Sequence, residues 1–150
     1  IKNFRGLKYR QQIIIQKKNL TIINDSKSTS FSSSVGILKK DSNILWLLGG
    51  IYKKGDKLEL KKKDLNNVTA FIYGKNKNFF NKQLRSKVKF KNYENLQDAV
   101  KNVFSIIKKK RSVKYTILFS PCAASFDRFK NFEERGLYFN RLVKRFMYGK

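Results

Sequence analysis

Ile44–Leu48 reads I-L-W-L-L, an apolar run with no polar break. A strand with one wet face alternates in polarity. An unbroken run therefore predicts a strand covered on both faces, as in a parallel sheet sandwiched by helices. Tyr115–Phe119 (Y-T-I-L-F) and Thr69–Tyr73 (T-A-F-I-Y) carry nearly the same signature. Helical patterns lie around them. In Asn95–Lys109, Leu96, Val100, Val103 and Ile107 keep helical spacing, with Glu94 and Asp98 near the start and Lys108–Arg111 near the end, which suits the macrodipole. From Phe132 to about Met147 a second helix is predicted to bury Phe132, Gly136, Phe139, Val143 and Phe146, with Asn131 and Glu134 as a capping box. Asn76–Leu84 predicts a short helix and Lys87–Phe90 a short strand. Strands alternating with helices predict an α/β fold: a Rossmann-like, open, mainly parallel sheet flanked by helices.

The opening of the chain follows another rule. Gln11–Gln16 and Leu20–Asn24 are β-rich runs separated by Lys17-Lys18-Asn19, which predicts an N-terminal β-hairpin with a three-residue loop. Phe4–Arg10 reads as an entry segment, with Gly6 allowing a turn. At 150 residues the chain fits one domain.

Composition removes several chemistries. The single cysteine excludes an internal disulfide and a cysteine-rich zinc site. With no histidine, Ser-His and Cys-His nucleophile machinery is impossible within this chain. No run approaches the ~20 apolar residues of a membrane span, and a cytoplasmic, monomeric protein without membrane contact is expected. Lys+Arg 35 against Asp+Glu 10 gives +25, which raises a basic nucleic-acid-binding module as an alternative. The lysines are spread over every segment and accompany abundant Asn, Ile and Phe, which A/T-rich codons share, so no specific nucleic-acid partner is expected.

The functional signals sit where strands end. Asn24–Ser30 (N-D-S-K-S-T-S) follows the hairpin and precedes a short helix predicted through Leu38. Its Asp and hydroxyl side chains suit either a helix cap or an anion site. After Ile44–Leu48 come Gly49-Gly50, Lys53, Lys54 and Gly55. The glycine separation is that of a P-loop, but Asp56 stands where Lys is needed and Lys57 where Ser or Thr is needed, so it is not a Walker motif. The glycine pair still allows close ligand approach, with Lys53 as an anion contact. After Tyr115–Phe119 comes Ser120–Gly136, S-P-C-A-A-S-F-D-R-F-K-N-F-E-E-R-G. Pro121, the one proline, biases Ser120 toward extended geometry. The small residues Cys122–Ser125 suit either a plain β–α connection or backbone contact with an anion.

These three stretches, with F-R-G-L-K-Y-R before them, resemble the C-terminal domain of the Mur ligases of peptidoglycan synthesis. The likeness covers nearly the whole chain and is strongest to the branch that adds D-glutamate to UDP-N-acetylmuramoyl-L-alanine. N-D-S-K-x-T is characteristic of the family and the Ser120–Gly136 run is highly specific, whereas G-G-x-x-K alone is weak. The resemblance implies a ligase that uses ATP and Mg2+ to turn a carboxylate into an acyl phosphate, which the amine of the incoming amino acid attacks. It implies that Arg10 and Asp25 reach the nucleotide, at phosphate and ribose respectively. It implies that Lys27, Thr29, Lys53, Ser125, Phe126 and Phe132 hold D-glutamate, with Lys27 also acting in catalysis. Taken singly these have ordinary readings: Asp25 and Thr29 as caps, Lys27 and Lys53 as solvated lysines, Ser125 as a turn. The resemblance further implies that residues 1–10 enter from an upstream ATP-binding domain and that 11–150 form the amino-acid-binding domain. The P-loop, the magnesium carboxylates and a UDP-binding domain are expected upstream, so that no metal ligand is expected here and the domain is inactive alone. A relative with another amino-acid substrate, including the folylpolyglutamate type, is an alternative. The sequence departs from the family in having Lys8-Tyr9 where Pro-His usually precedes the arginine, and S-P-C-A-A-S for S-P-A-C-A-S.

Overall fold

The structure is a computed structural model that describes residues 7–40 and 43–149, so Phe4 and Gly6 of the entry segment lie outside the described residues. The strands are β1 (Gln12–Lys17), β2 (Leu20–Asn24), β3 (Asn43–Gly49), β4 (Val68–Tyr73), β5 (Lys89–Tyr93) and β6 (Tyr115–Phe119). The helices are α1 (Val35–Leu38), α2 (Lys77–Leu84), α3 (Leu96–Lys109) and α4 (Phe132–Tyr148). One sheet runs in the order β1-β2-β6-β3-β4-β5, with β1 antiparallel to β2 and every other pairing parallel.

The unbroken apolar strands are central because both their faces are covered. Ile44, Trp46 and Leu48 of β3, Ala70 and Ile72 of β4, and Leu118 of β6 join a core closed by Phe31, Leu38, Phe80 and Leu84. The alternate residues Leu45, Leu47, Phe71, Ile117 and Phe119 join a second core under α3 and α4. Period-two alternation thus feeds two cores from one strand. Fully burying each such side chain contributes roughly 1.5–3 kcal/mol relative to exposure. Phe119 stacks on Phe139 of α4 with ring centroids 4.4 Å apart, fixing that helix over the centre of the sheet. At the outer edge, β5 exposes Lys89, Lys91 and Asn92. Charge on an edge discourages pairing with another chain.

Three local expectations shift. The hairpin ladder continues to Lys17↔Leu20, leaving a two-residue turn at Lys18-Asn19 rather than a three-residue loop. Two-residue turns match the twist of paired strands. The strand expected at Lys87–Phe90 is Lys89–Tyr93, because Lys87 and Val88 donate back to Leu84 O at the end of α2, and pairing with β4 begins at Thr69↔Lys89. At the start of α4, Asn131 Oδ1 accepts from Glu134 N as expected, but Glu134 Oε2 accepts from Lys130 N, one residue earlier than a reciprocal box requires. Among the described residues no helix is long and apolar enough to cross a membrane.

Candidate functional site

β2, β6 and β3 are adjacent and parallel, so the loops that follow them leave the same sheet edge. In open α/β sheets this carboxyl edge is where ligands bind. The loops are tied to one another. Asp25 N donates to Phe119 O at 2.7 Å, Ala123 N to Ser28 O at 3.4 Å, and Ser26 Oγ to Phe132 O at 2.7 Å. Ile51 and Ala124 exchange two backbone hydrogen bonds, Ile51 N to Ala124 O at 3.1 Å and Ala124 N to Ile51 O at 2.8 Å. The post-β6 loop is therefore stitched to both others.

The first loop is held from below. Asn24 is fully buried at the end of β2; its amide donates to Gly136 O (3.0 Å) and Asn140 Oδ1 (2.7 Å) and accepts from Ser26 N (3.1 Å). Asp25, 3% exposed, accepts from Gln11 N (3.0 Å) and from Ser120 Oγ (2.8 Å). It caps no helix, and neither does Thr29. The 3₁₀ turn Phe31–Ser34 begins after Ser30, which makes no side-chain cap bond. Burial raises the Asp25 carboxyl above its ordinary value, while the Ser120 hydroxyl, the Gln11 N–H, Arg10 and Arg135 pull the other way. Ser34, Ser120 and Cys122 form a buried polar cluster behind it, with Ser34 Oγ bonded to Ser120 Oγ and 3.1 Å from Cys122 Sγ. Burial pushes the Cys122 thiol up to about 12, against the lowering effect of its serine neighbours.

Lys27, Thr29 and Lys53 are exposed at this rim. Lys27 Nζ lies 5.4 Å from the centroid of the half-buried Phe132 ring, so a cation from the first loop meets an aromatic ring at the start of α4. Ser125 is buried, and its carbonyl accepts from Arg128 N and Phe129 N, which makes the turn its ordinary reading required. Phe126, next to it, is 71% exposed. Arg10 is exposed and closes a turn by donating its N–H to Leu7 O. The described part of the entry segment docks on this edge. Tyr9, in the left-handed region at φ 63°, packs its buried ring on Gly136, and its carbonyl accepts from Lys27 N at 2.9 Å.

Gly49 and Gly50 serve packing rather than ligand approach. At φ 151° and 124°, a Cβ on Gly49 would meet the Tyr73 carbonyl, and one on Gly50 would lie 2.7 Å from Ala124 O. The small residues Cys122 and Ala123 are likewise buried in the loop stack. No helix follows Gly55 before the 3₁₀ turn Lys62–Leu65, so the backbone lacks the helix N-terminus of a P-loop. Sequence reasoning missed Asn24, Ser26, Ser120 and Arg135. Arg135 is 1% exposed and donates to Ser26 through Nε (3.1 Å) and Nη2 (2.6 Å). Its signal was available: position 135 lies three after Phe132 and four before Phe139, on the apolar stripe of α4. A charge there must have partners.

No family profile matches the chain. Individual relatives do. The chain is 37% identical over 145 residues, 97% of its length, to a UDP-N-acetylmuramoylalanine--D-glutamate ligase of Wolbachia sp. subsp. Brugia malayi, of which it covers 29%. It is equally identical over 97% of its length to the enzyme of that name from Rickettsia felis, covering 32% of it. It is 33% identical to the one from Francisella philomiragia, covering 34%. The chain thus spans about three-tenths of the length of the curated relatives it matches. Among solved structures, a domain from a candidate UDP-N-acetylmuramate:L-alanyl-gamma-D-glutamyl-medo-diaminopimelate ligase of Haemophilus ducreyi superposes at TM-score 0.51 over 91% of this chain and 99% of that one. At 16% identity it shows the shared α/β fold and no more. Identity carried along nearly the whole length of the chain makes it similar to one part of the ligases of that name, on an α/β fold it shares with the Haemophilus ducreyi domain.

Proposed function

We propose that this chain is the C-terminal, amino-acid-binding domain of an ATP-dependent ligase that adds D-glutamate to UDP-N-acetylmuramoyl-L-alanine in peptidoglycan synthesis. The supporting observation is identity to ligases of that name over 97% of the chain, together with three loops stitched at one sheet edge. In this reading residues 11–150 are that domain and residues 1–10 lead in from an ATP-binding domain, with a UDP-binding domain beyond it. The enzyme works as a cytoplasmic monomer.

D-Glutamate brings two carboxylates to a rim that carries Lys27, Thr29 and Lys53 in the open and Ser125 beside the exposed Phe126. Lysines and hydroxyls give such groups charge-assisted hydrogen bonds. Phe132, against the Lys27 ammonium, limits where that charge can swing. Fixing both carboxylates aims the amine at the acyl phosphate of the partner substrate. The amine attacks the acyl carbon, the C–O bond to phosphate breaks, and the amine proton leaves as the amide forms. Lys27 contributes by holding negative charge in place, catalysis through positioning. Arg10 meets the nucleotide phosphates and Asp25 the ribose, through acceptor capacity its two oxygens keep beside Gln11 N and Ser120 Oγ. Mg2+ would offset phosphate charge when bound. In this reading its ligands belong to the upstream domain.

The test is ADP release by this chain joined to its upstream domains, with D-glutamate and UDP-N-acetylmuramoyl-L-alanine both required. Lys27→Ala and Ser125→Ala are each expected to raise the KM for D-glutamate about tenfold, the loss of one charge-assisted hydrogen bond. Unchanged kinetics in both variants refutes the assignment. An amino-acid panel separates D-glutamate from other substrates, and the chain alone is expected to release no ADP.

A further inference from the structure

Helix α4 spends two arms of Arg135 on Ser26, but Nη1 of this 1% exposed guanidinium has no partner. The hydroxyl of Tyr73, the last residue of β4, is buried and unpartnered as well. Buried donors without acceptors are rare and costly, and two that wall one space ask for a ligand. Arg135 and Tyr73 both line a cavity of about 190 Å³ between the end of β4, the start of α3 and the post-β6 loop. Gly74 lines it too, and a Cβ there would meet nothing closer than 3.9 Å. A water occupies about 30 Å³ of liquid, so the space admits a group of several heavy atoms.

The walls select for negative charge. Beside Arg135 stand Arg128, Asn95, which is the N-cap of α3, and Leu96, the first residue of that helix. α3 is a 14-residue helix whose N-terminus carries positive partial charge, part of which Asp98 in its first turn already offsets. The one carboxylate among the lining residues is Asp127, exposed and bonded to neither orphan donor. We infer that this cavity is a subsite for a small oxyanion, a carboxylate or a phosphate, held by Arg135 Nη1 and the Tyr73 hydroxyl, with Asp127 as a built-in competitor at its mouth. None of Lys27, Thr29, Lys53 or Ser125 lines the cavity, and the inference does not rest on the ligase reading.

The experiment compares Asp127→Asn with the double variant Asp127→Asn/Tyr73→Phe. The Tm of each is followed as inorganic phosphate, or separately acetate, replaces chloride at constant ionic strength. Tyr73→Phe removes one unpartnered oxygen and keeps the ring in its core, so the fold persists. It also leaves net charge unchanged, so general attraction of anions to the chain, which Asp127→Asn makes one unit more positive than +25, is the same in both variants. The expected result is an anion-specific rise in Tm for Asp127→Asn, with a half-saturating concentration about tenfold higher in the double variant, the worth of one hydrogen bond to a charged acceptor. The wild type is expected to respond more weakly than Asp127→Asn, and the arm with the tighter response names the oxyanion's class. Equal responses in the two variants, or no rise over chloride in Asp127→Asn, overturns the inference.

Discussion

Gly136 sits in the second turn of α4 with the ring of Tyr9 laid on it. A Cβ at 136 would lie 2.7 Å from Tyr9 Cε1 and 2.8 Å from Cγ, with Cδ1 nearer still. Two opposed effects therefore meet in Gly136→Ala. Alanine is better than glycine in a helix interior by about 1 kcal/mol. Overpacking against a ring already buried costs about 1–3 kcal/mol. The ring has little freedom to retreat, because the Tyr9 carbonyl holds Lys27 N and its N–H is bonded to Gln12 Oε1 at 3.1 Å. The net expectation is a loss of roughly 0–2 kcal/mol in the wild type. Tyr9→Ala alone costs about 3 kcal/mol, as truncation of a buried aromatic does. In that background the clash is gone, and Gly136→Ala should stabilise by about 1 kcal/mol. Equilibrium urea unfolding of the four proteins gives the coupling as a double-mutant cycle, expected at about 1–3 kcal/mol. If Gly136→Ala shifts stability by the same amount with and without the Tyr9 ring, the entry segment is not packed on α4, and the reasoning fails.

Asn24→Ala removes an amide that joins the end of β2 to Gly136 O, Asn140 and Ser26 N, and strands these buried partners. It should destabilise by about 3 kcal/mol in the same unfolding assay. Asp25 has a raised carboxyl, so the unfolded chain ionises first as pH climbs past 3.8. The stability contribution of the protonated form is complete below that value and is lost as pH rises through the folded value. The stability of Asp25→Asn relative to wild type is therefore expected to increase with pH across this window, and a flat difference would show that the carboxyl is not desolvated. Cys122, with its thiol near 12, should resist a thiol reagent at pH 8 in the folded state and react at the rate of unfolding as urea is added. Rapid labelling without denaturant would contradict its burial.

The apolar runs were enough to specify the layered sheet. Unbroken I-L-W-L-L can be satisfied only between two covers, and helical stripes at 96–107 and 132–146 supply one of them, so the α/β class and every main element were legible locally. The motif residues Lys27, Thr29, Lys53 and Ser125 were legible as a set through the family pattern, and strand order puts their loops on one edge. Tertiary structure alone decided which polar groups face that edge and which are buried to hold it. Asp25 and Ser26 adjoin Lys27 in sequence, yet Asp25 is clasped by Gln11 and Ser120, and Ser26 is clamped by Arg135, 109 positions away. The glycine pair after β3 read as room for a ligand and proved to be room for neighbouring backbone. The physical reason is range. Periodicity encodes which face of an element is buried, whereas a polar side chain's role depends on partners that only the folded chain brings within hydrogen-bonding distance.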